Sequence, residues 1–216
     1  MAGHRLIGIS VQCHQDPLSN PAASREILRK KHMPGSHDCA LPPLTLVLGG
    51  ARSGKSRMAE RLVIGSGRPR FYLATAEAWD DEMRERISAH RHDRGDGWQT
   101  VEEPRDLSPV LSRMPPEACV LLDCATLWLT NHLLADSDLD AAIASLLHAL
   151  DACPAPVVVV SNEVGWSIVP ENSLARRFRD EQGRLNQRLA GQADLVVAAM
   201  AGLPMVLKGC LPEGVL

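Results

Sequence analysis

One stretch of this chain has the residue types and spacing to hold a row of phosphates. Gly49-Gly50-Ala51-Arg52-Ser53-Gly54-Lys55-Ser56 reads G-x-x-x-x-G-K-S. The glycines let the backbone curl so that successive N–H groups point inward, and the helix that follows adds the positive end of its dipole. Lys55 is then set to reach the terminal phosphates of ATP or GTP, and the Ser56 hydroxyl to ligate Mg²⁺. The motif is specific only between a strand and a helix. Here it follows Leu44-Thr45-Leu46-Val47-Leu48 and precedes Arg57-Met58-Ala59-Glu60-Arg61-Leu62, so that context is met. The cation needs an acid, and Asp123 closes the apolar run Cys119-Val120-Leu121-Leu122. Kinases, GTPases, ATPases, nucleotidyl transferases and nucleotide-gated switches all use such a loop, so the loop alone leaves the reaction open.

A second group of residues offers covalent chemistry. His90 carries an imidazole that is nucleophilic near neutral pH. At ~100° per residue it shares a helical stripe with Met83 and Ile87, so a place in the core is equally compatible with the spacing. Arg91, His92, Asp93 and Arg94 follow as a turn, either a polar helix exit or a grip on phosphate oxygens. Thr75, Ala76 and Glu77 come directly after the apolar run Arg70–Ala74. Asn162 and Glu163 come directly after Val157–Ser161. Both segments fall at the carboxyl ends of expected strands, the edge where open α/β sheets bind ligands.

These residues need a scaffold, and the chain's alternation of short apolar runs with longer amphipathic ones predicts one. Strands are expected at Leu44–Leu48, Arg70–Ala74, Cys119–Leu122, Val157–Ser161, Leu195–Ala199 and Met205–Leu207, with helices at 55–64, 80–91, 139–150 and 173–190. The fold class is α/β, a mostly parallel sheet flanked by helices. Residues 1–43 lack this periodicity and read as an N-terminal extension, leaving 44–216 as one domain. A formal net charge of -3 and an aromatic content of 3% argue against a nucleic-acid partner. Cys13, Cys39, Cys119, Cys124, Cys153 and Cys210 show no metal-site spacing, and a reducing cytoplasm is the simplest setting for them. The longest apolar run, Leu195–Leu207, is interrupted by Gly202 and Pro204 and is shorter than the roughly 20 residues that span a bilayer, so no membrane segment is expected.

Taken in order, five segments carry a resemblance. They are the phosphate loop; Tyr72-Leu73-Ala74-Thr75-Ala76; Asp80-Asp81-Glu82-Met83 with Arg86-Ile87 and His90-Arg91; Trp98-Gln99-Thr100-Val101-Glu102-Glu103-Pro104; and Ser161-Asn162-Glu163-Val164-Gly165 with Ile168-Val169-Pro170-Glu171-Asn172, Arg179-Asp180, Gly183 and Asn186-Gln187. Through them the chain resembles the bifunctional adenosylcobinamide kinase/adenosylcobinamide-phosphate guanylyltransferase family from about Leu44 to Lys208. The resemblance implies a RecA-like P-loop fold. It also implies phosphorylation of adenosylcobinamide with ATP or GTP, then transfer of GMP from a second GTP to give adenosylcobinamide-GDP in cobalamin biosynthesis. It assigns His90 as the residue that carries GMP covalently, with His92 as the alternative. It places nucleotide contacts at Arg91, His92, Asp93, Arg94 and Glu102, to which the strand-end position adds Thr75, Ala76 and Glu77, and it implies a homotrimer.

Overall fold

The alternation expected from the sequence is realised in the computed structural model, which describes residues 40–77, 95–166 and 168–214. The strands are β1 (Leu44–Gly49), β2 (Arg70–Ala74), β3 (Trp98–Glu102), β4 (Cys119–Asp123), β5 (Val157–Asn162), β6 (Leu195–Met200) and β7 (Leu203–Lys208). The described helices are α1 (Lys55–Gly65), α2 (Ser108–Leu111), α3 (Ala125–Leu134), α4 (Leu139–Asp151) and α5 (Ser173–Gln192). The strands form one seven-stranded sheet in the order β3-β2-β4-β5-β1-β6-β7. All neighbours are parallel except β6 and β7, which run antiparallel. Because β5 lies between β1 and β4, the loop strand and the acid strand are separated by one strand.

The central strands read as unbroken apolar runs because both their faces are covered. Successive residues of β5 alternate: Val157 and Val159 pack with Leu46, Val120, Leu122, Trp128, Leu185 and Leu189, whereas Val158 and Val160 pack with Val47, Leu121, Met58 and Leu62. Helices α3, α4 and α5 therefore cover one face, and α1 lies on the other. Asp138 caps α4, its Oδ1 accepting from Ala141 N, and Asn172 caps α5 by accepting from Leu174 N and Ala175 N. Leu41 packs on the α1 side and Pro43 O accepts from Val157 N, so the described core begins ahead of β1.

Four elements depart from the sequence expectation, the first being the short helix α2, which was not expected. Strand β3, the sheet edge, is half exposed, and its sequence Trp98-Gln99-Thr100-Val101-Glu102 carries too few apolar residues to stand out. Helix α3 follows Asp123 immediately and is buried on most of its circumference, so it lacks the stripe that marks an amphipathic helix. Strand β7 starts at Leu203, because Ala201 (φ 52°) and Gly202 (φ 79°) close a tight hairpin with β6. The helix expected at 80–91 lies outside the described residues, as do residues 1–39. Cys119, Cys124 and Cys153 are free, and Cys210 is disulfide-bonded. No described helix is long and apolar enough to cross a membrane.

Candidate functional site

The loop after β1 has the backbone that its glycines foretell. Gly54 sits at φ 91°, where a side chain would be strained, and a Cβ there would also come to 3.1 Å from Gly202 Cα. A Cβ at Gly49 would collide with the Ser53 side chain and approach Ala199 O to 2.8 Å. The loop closes with Ser53 N donating to Gly50 O at 3.3 Å, and α1 starts with Met58 N donating to Gly54 O at 3.0 Å. Two more main-chain bonds fasten it to the sheet: Glu163 N donates to Gly49 O at 3.0 Å, and Gly202 N in the β6–β7 hairpin donates to Ser53 O at 2.9 Å. Lys55 Nζ donates to Gly50 O at 3.1 Å, folding the ammonium over the loop.

The strand ends meet alongside. Register sets Ala74 next to both Glu102 and Asp123, so the carboxyl ends of β3, β2 and β4 stand abreast. Gly49 pairs in the same way with Asn162. Asp123 Oδ2 accepts a hydrogen bond from Tyr72 Oη at 3.0 Å. Burial pushes the Cys124 thiol up to about 12, the Asp123 carboxylate raising it further and the Lys55 ammonium opposing. Cys124 is thus an inert, protonated thiol at neutral pH. Ser56 and Asp123 supply hard oxygen donors, the chemistry that suits Mg²⁺ completed by nucleotide phosphates. Among the described residues no ion pair occupies the Asp123 carboxylate.

Side chains rather than the ladder fix this edge. Thr75 Oγ1 donates to Cys124 O at 2.8 Å and accepts from Cys124 N at 2.9 Å, a reciprocal pair that is fully buried. Asn131 Nδ2 donates to Thr75 O at 2.8 Å and to Pro104 O at 3.0 Å. Thr126 Oγ1 accepts from Asn162 N at 2.8 Å. Behind β5, Ser161, Gln182 and Asn186 form a buried network, and Asn186 Nδ2 donates to Asn162 O at 3.0 Å. Ala76 and Glu77 continue from Thr75. Glu77 lies 3.9 Å from Arg105, a weak and partly exposed ion pair, and Glu102 is exposed at the end of β3.

The match to known proteins agrees with this architecture. Residues 45–207 match the family model described as cobinamide kinase / cobinamide phosphate guanyltransferase. The chain belongs to this family. It is 50% identical over 168 residues to the bifunctional adenosylcobalamin biosynthesis protein CobP of Pseudomonas aeruginosa, covering 76% of this chain and 96% of that one. It is 44% identical over 181 residues to the corresponding protein of Escherichia coli, covering 76% and 99%. A solved structure titled as the RadB recombinase matches at TM-score 0.42 and 17% identity, over 74% of this chain and 75% of that one. As a member of the cobinamide kinase / guanylyltransferase family, the protein is a bifunctional enzyme, a kinase and a nucleotidyltransferase.

The structure brings Gly49–Ser56, Thr75, Ala76, Glu77, Glu102 and Asp123 to one sheet edge. His90, Arg91, His92, Asp93 and Arg94 lie outside the described residues. The arginines of α5 are engaged locally, Arg176 with the carbonyls of Pro170 and Glu171, Arg179 with Asp180, and Arg184 with Glu181. Tyr72, Thr126, Asn131 and Gln182 were not singled out by the sequence. For Tyr72, Thr126 and Asn131 the one signal is a polar atom inside an otherwise apolar segment, which requires a buried partner; Gln182, in a polar stretch of α5, carries no such signal. Thr75→Val keeps the shape of the side chain but leaves the buried N–H of Cys124 without a partner and removes one of the two donors to its C=O, which keeps Trp128 N at 3.1 Å. It is expected to lower the unfolding free energy by about 1–3 kcal/mol, with Thr75→Ser largely restoring it. Urea denaturation measures this; an unchanged midpoint and slope for Thr75→Val contradicts the clamp.

Proposed function

We propose that this enzyme phosphorylates the aminopropanol hydroxyl of adenosylcobinamide with ATP or GTP, then transfers GMP from GTP to the new phosphate. The observation that carries this reading is the phosphate loop held at the carboxyl edge of the sheet, one strand away from the strand that ends in Asp123, in a chain of the cobinamide kinase / guanylyltransferase family. Loop N–H groups and Lys55 would bind the phosphates and stabilise charge that develops on them during transfer. Ser56 and Asp123 would hold Mg²⁺, which supplies further neutralisation of phosphate charge. Thr75 fixes the edge from which Ala76, Glu77 and Glu102 meet the nucleotide.

For the second step we assign His90 as the carrier. A lone pair on its neutral imidazole attacks the α-phosphorus of GTP, forming a P–N bond as the bond to the bridging oxygen breaks and pyrophosphate leaves. A phosphate oxygen of adenosylcobinamide phosphate then attacks the same phosphorus, the P–N bond breaks, and the imidazole is regenerated as adenosylcobinamide-GDP departs. Arg91 and Arg94, with His92 and Asp93, are assigned to the nucleotide in this transfer. A cytoplasmic setting fits a reaction that consumes ATP and GTP.

A homotrimer is part of the proposal. Trp166, Ile168 and Val169 after β5, and Leu203, Met205 and Leu207 along β7, are exposed apolar side chains of the kind that interfaces cover. Light scattering should return three times the 23.5 kDa chain mass, and a monomer at micromolar concentration contradicts the trimer.

Incubation with α-labelled GTP should yield a GMP adduct that is labile to acid and stable to base. His90→Ala should abolish that adduct while sparing phosphorylation of adenosylcobinamide, and Lys55→Ala should impair phosphorylation. A wild-type enzyme that turns over without an adduct rules out the covalent route. An adduct that survives in His90→Ala and disappears in His92→Ala moves the carrier to His92.

A further inference from the structure

We propose that Tyr72 is a positioning residue for the Asp123 carboxylate, orienting it for the divalent cation that accompanies the nucleotide. The inference rests on the reading of Asp123 as the cation acid. Tyr72 is the single tyrosine of the chain, and it sits on β2 with its ring buried against the α1 face. Ala74 is the register partner of Asp123, so Tyr72, two residues earlier, projects from the same face of the sheet. From there its Oη donates to Asp123 Oδ2 at 3.0 Å, the carboxylate's one side-chain hydrogen bond among the described residues.

A carboxylate turns easily about its last torsion, which is broad and two-fold. A single donor on Oδ2 removes that freedom and leaves Oδ1 free of hydrogen bonds to described groups. The donor is neutral, so it orients the carboxylate without cancelling the charge that a cation needs. The phenol is itself held: Trp98 meets the Tyr72 ring edge-on, with centroids 6.2 Å apart and planes at 89°. The guanidinium of Arg70 lies 5.5 Å over the Trp98 ring. Trp98 on the edge strand β3 (braced by Arg70), Tyr72 on β2 and Asp123 on β4 thus form a row across neighbouring strands.

A phenol that merely satisfied itself in the core would leave cation binding untouched when removed, and this separates the two roles. The probe is N-methylanthraniloyl-GTP, titrated by fluorescence into the full-length wild type, Tyr72→Phe and Asp123→Asn, each with excess Mg²⁺ and with EDTA. Tyr72→Phe is expected to weaken binding with Mg²⁺ roughly tenfold, the scale of one hydrogen bond to a charged group, and to leave binding in EDTA unchanged. Asp123→Asn should remove most of the gain that Mg²⁺ confers. If Asp123→Asn loses that gain and Tyr72→Phe keeps it in full, the positioning role is overturned while the cation reading stands. Equal losses for Tyr72→Phe with and without Mg²⁺ show a general disturbance of the fold and overturn it too. If Asp123→Asn keeps the gain, Asp123 is not the cation acid and the proposal falls with that reading.

Discussion

The rest of the site depends on the fastening of the phosphate loop by main-chain hydrogen bonds from two sides. Glu163 N–H holds Gly49 O, and Gly202 N–H holds Ser53 O. A loop that presents its N–H groups to an anion directs like dipoles at one point, and the arrangement persists before ligand arrives only if the carbonyls are held elsewhere. Here a neighbouring strand end takes one and a hairpin takes the other. The hairpin can approach so closely because Gly54 lacks a side chain where it faces Gly202 Cα. The antiparallel strand β7, an addition to an otherwise parallel sheet, thereby acquires a purpose: its turn buttresses the loop.

The same economy governs the neighbouring strand ends. Parallel strands leave main-chain groups unsatisfied where the ladder stops, and this chain fills such positions with threonine and amide side chains. Thr75 ties β2 to the residue after β4, Thr126 ties the start of α3 to β5, and Asn186 ties α5 to the same strand. The result is an edge on which the ends of β2, β4 and β5 are tied to one another by side-chain hydrogen bonds. Preorganisation of this kind is what phosphoryl and nucleotidyl transfer require, because both are accelerated chiefly by position and electrostatics.

How far the sequence disclosed this varies with the range of the interactions. The loop is legible because its glycines answer a local backbone demand, at Gly54 a positive φ. Asp123 is legible because it ends an apolar strand. The ordered segments, from Tyr72–Ala76 to Asn186-Gln187, pointed to the family that residues 45–207 match. By contrast Thr75 and Cys124 are 49 residues apart and Asn131 and Thr75 are 56 apart, pairings that no local pattern encodes. Helix α3 was missed for a related reason, since a helix buried nearly all round loses its periodicity. Thr75 itself was expected at the nucleotide, and its N–H, carbonyl and hydroxyl are all engaged within the edge. His90 was named from resemblance, and its position lies outside the described residues.

The central claim is that this fastened loop is where the nucleotide phosphates sit, and a crystal structure of the protein with Mg²⁺ and a non-hydrolysable GTP analogue tests it most directly. The account predicts phosphate oxygens within hydrogen-bond distance of the loop N–H groups between Gly50 and Ser56, Lys55 Nζ moved from Gly50 O to phosphate, and the Asp123 carboxylate facing the cation. Phosphates bound elsewhere, with Lys55 still on Gly50 O, would contradict it.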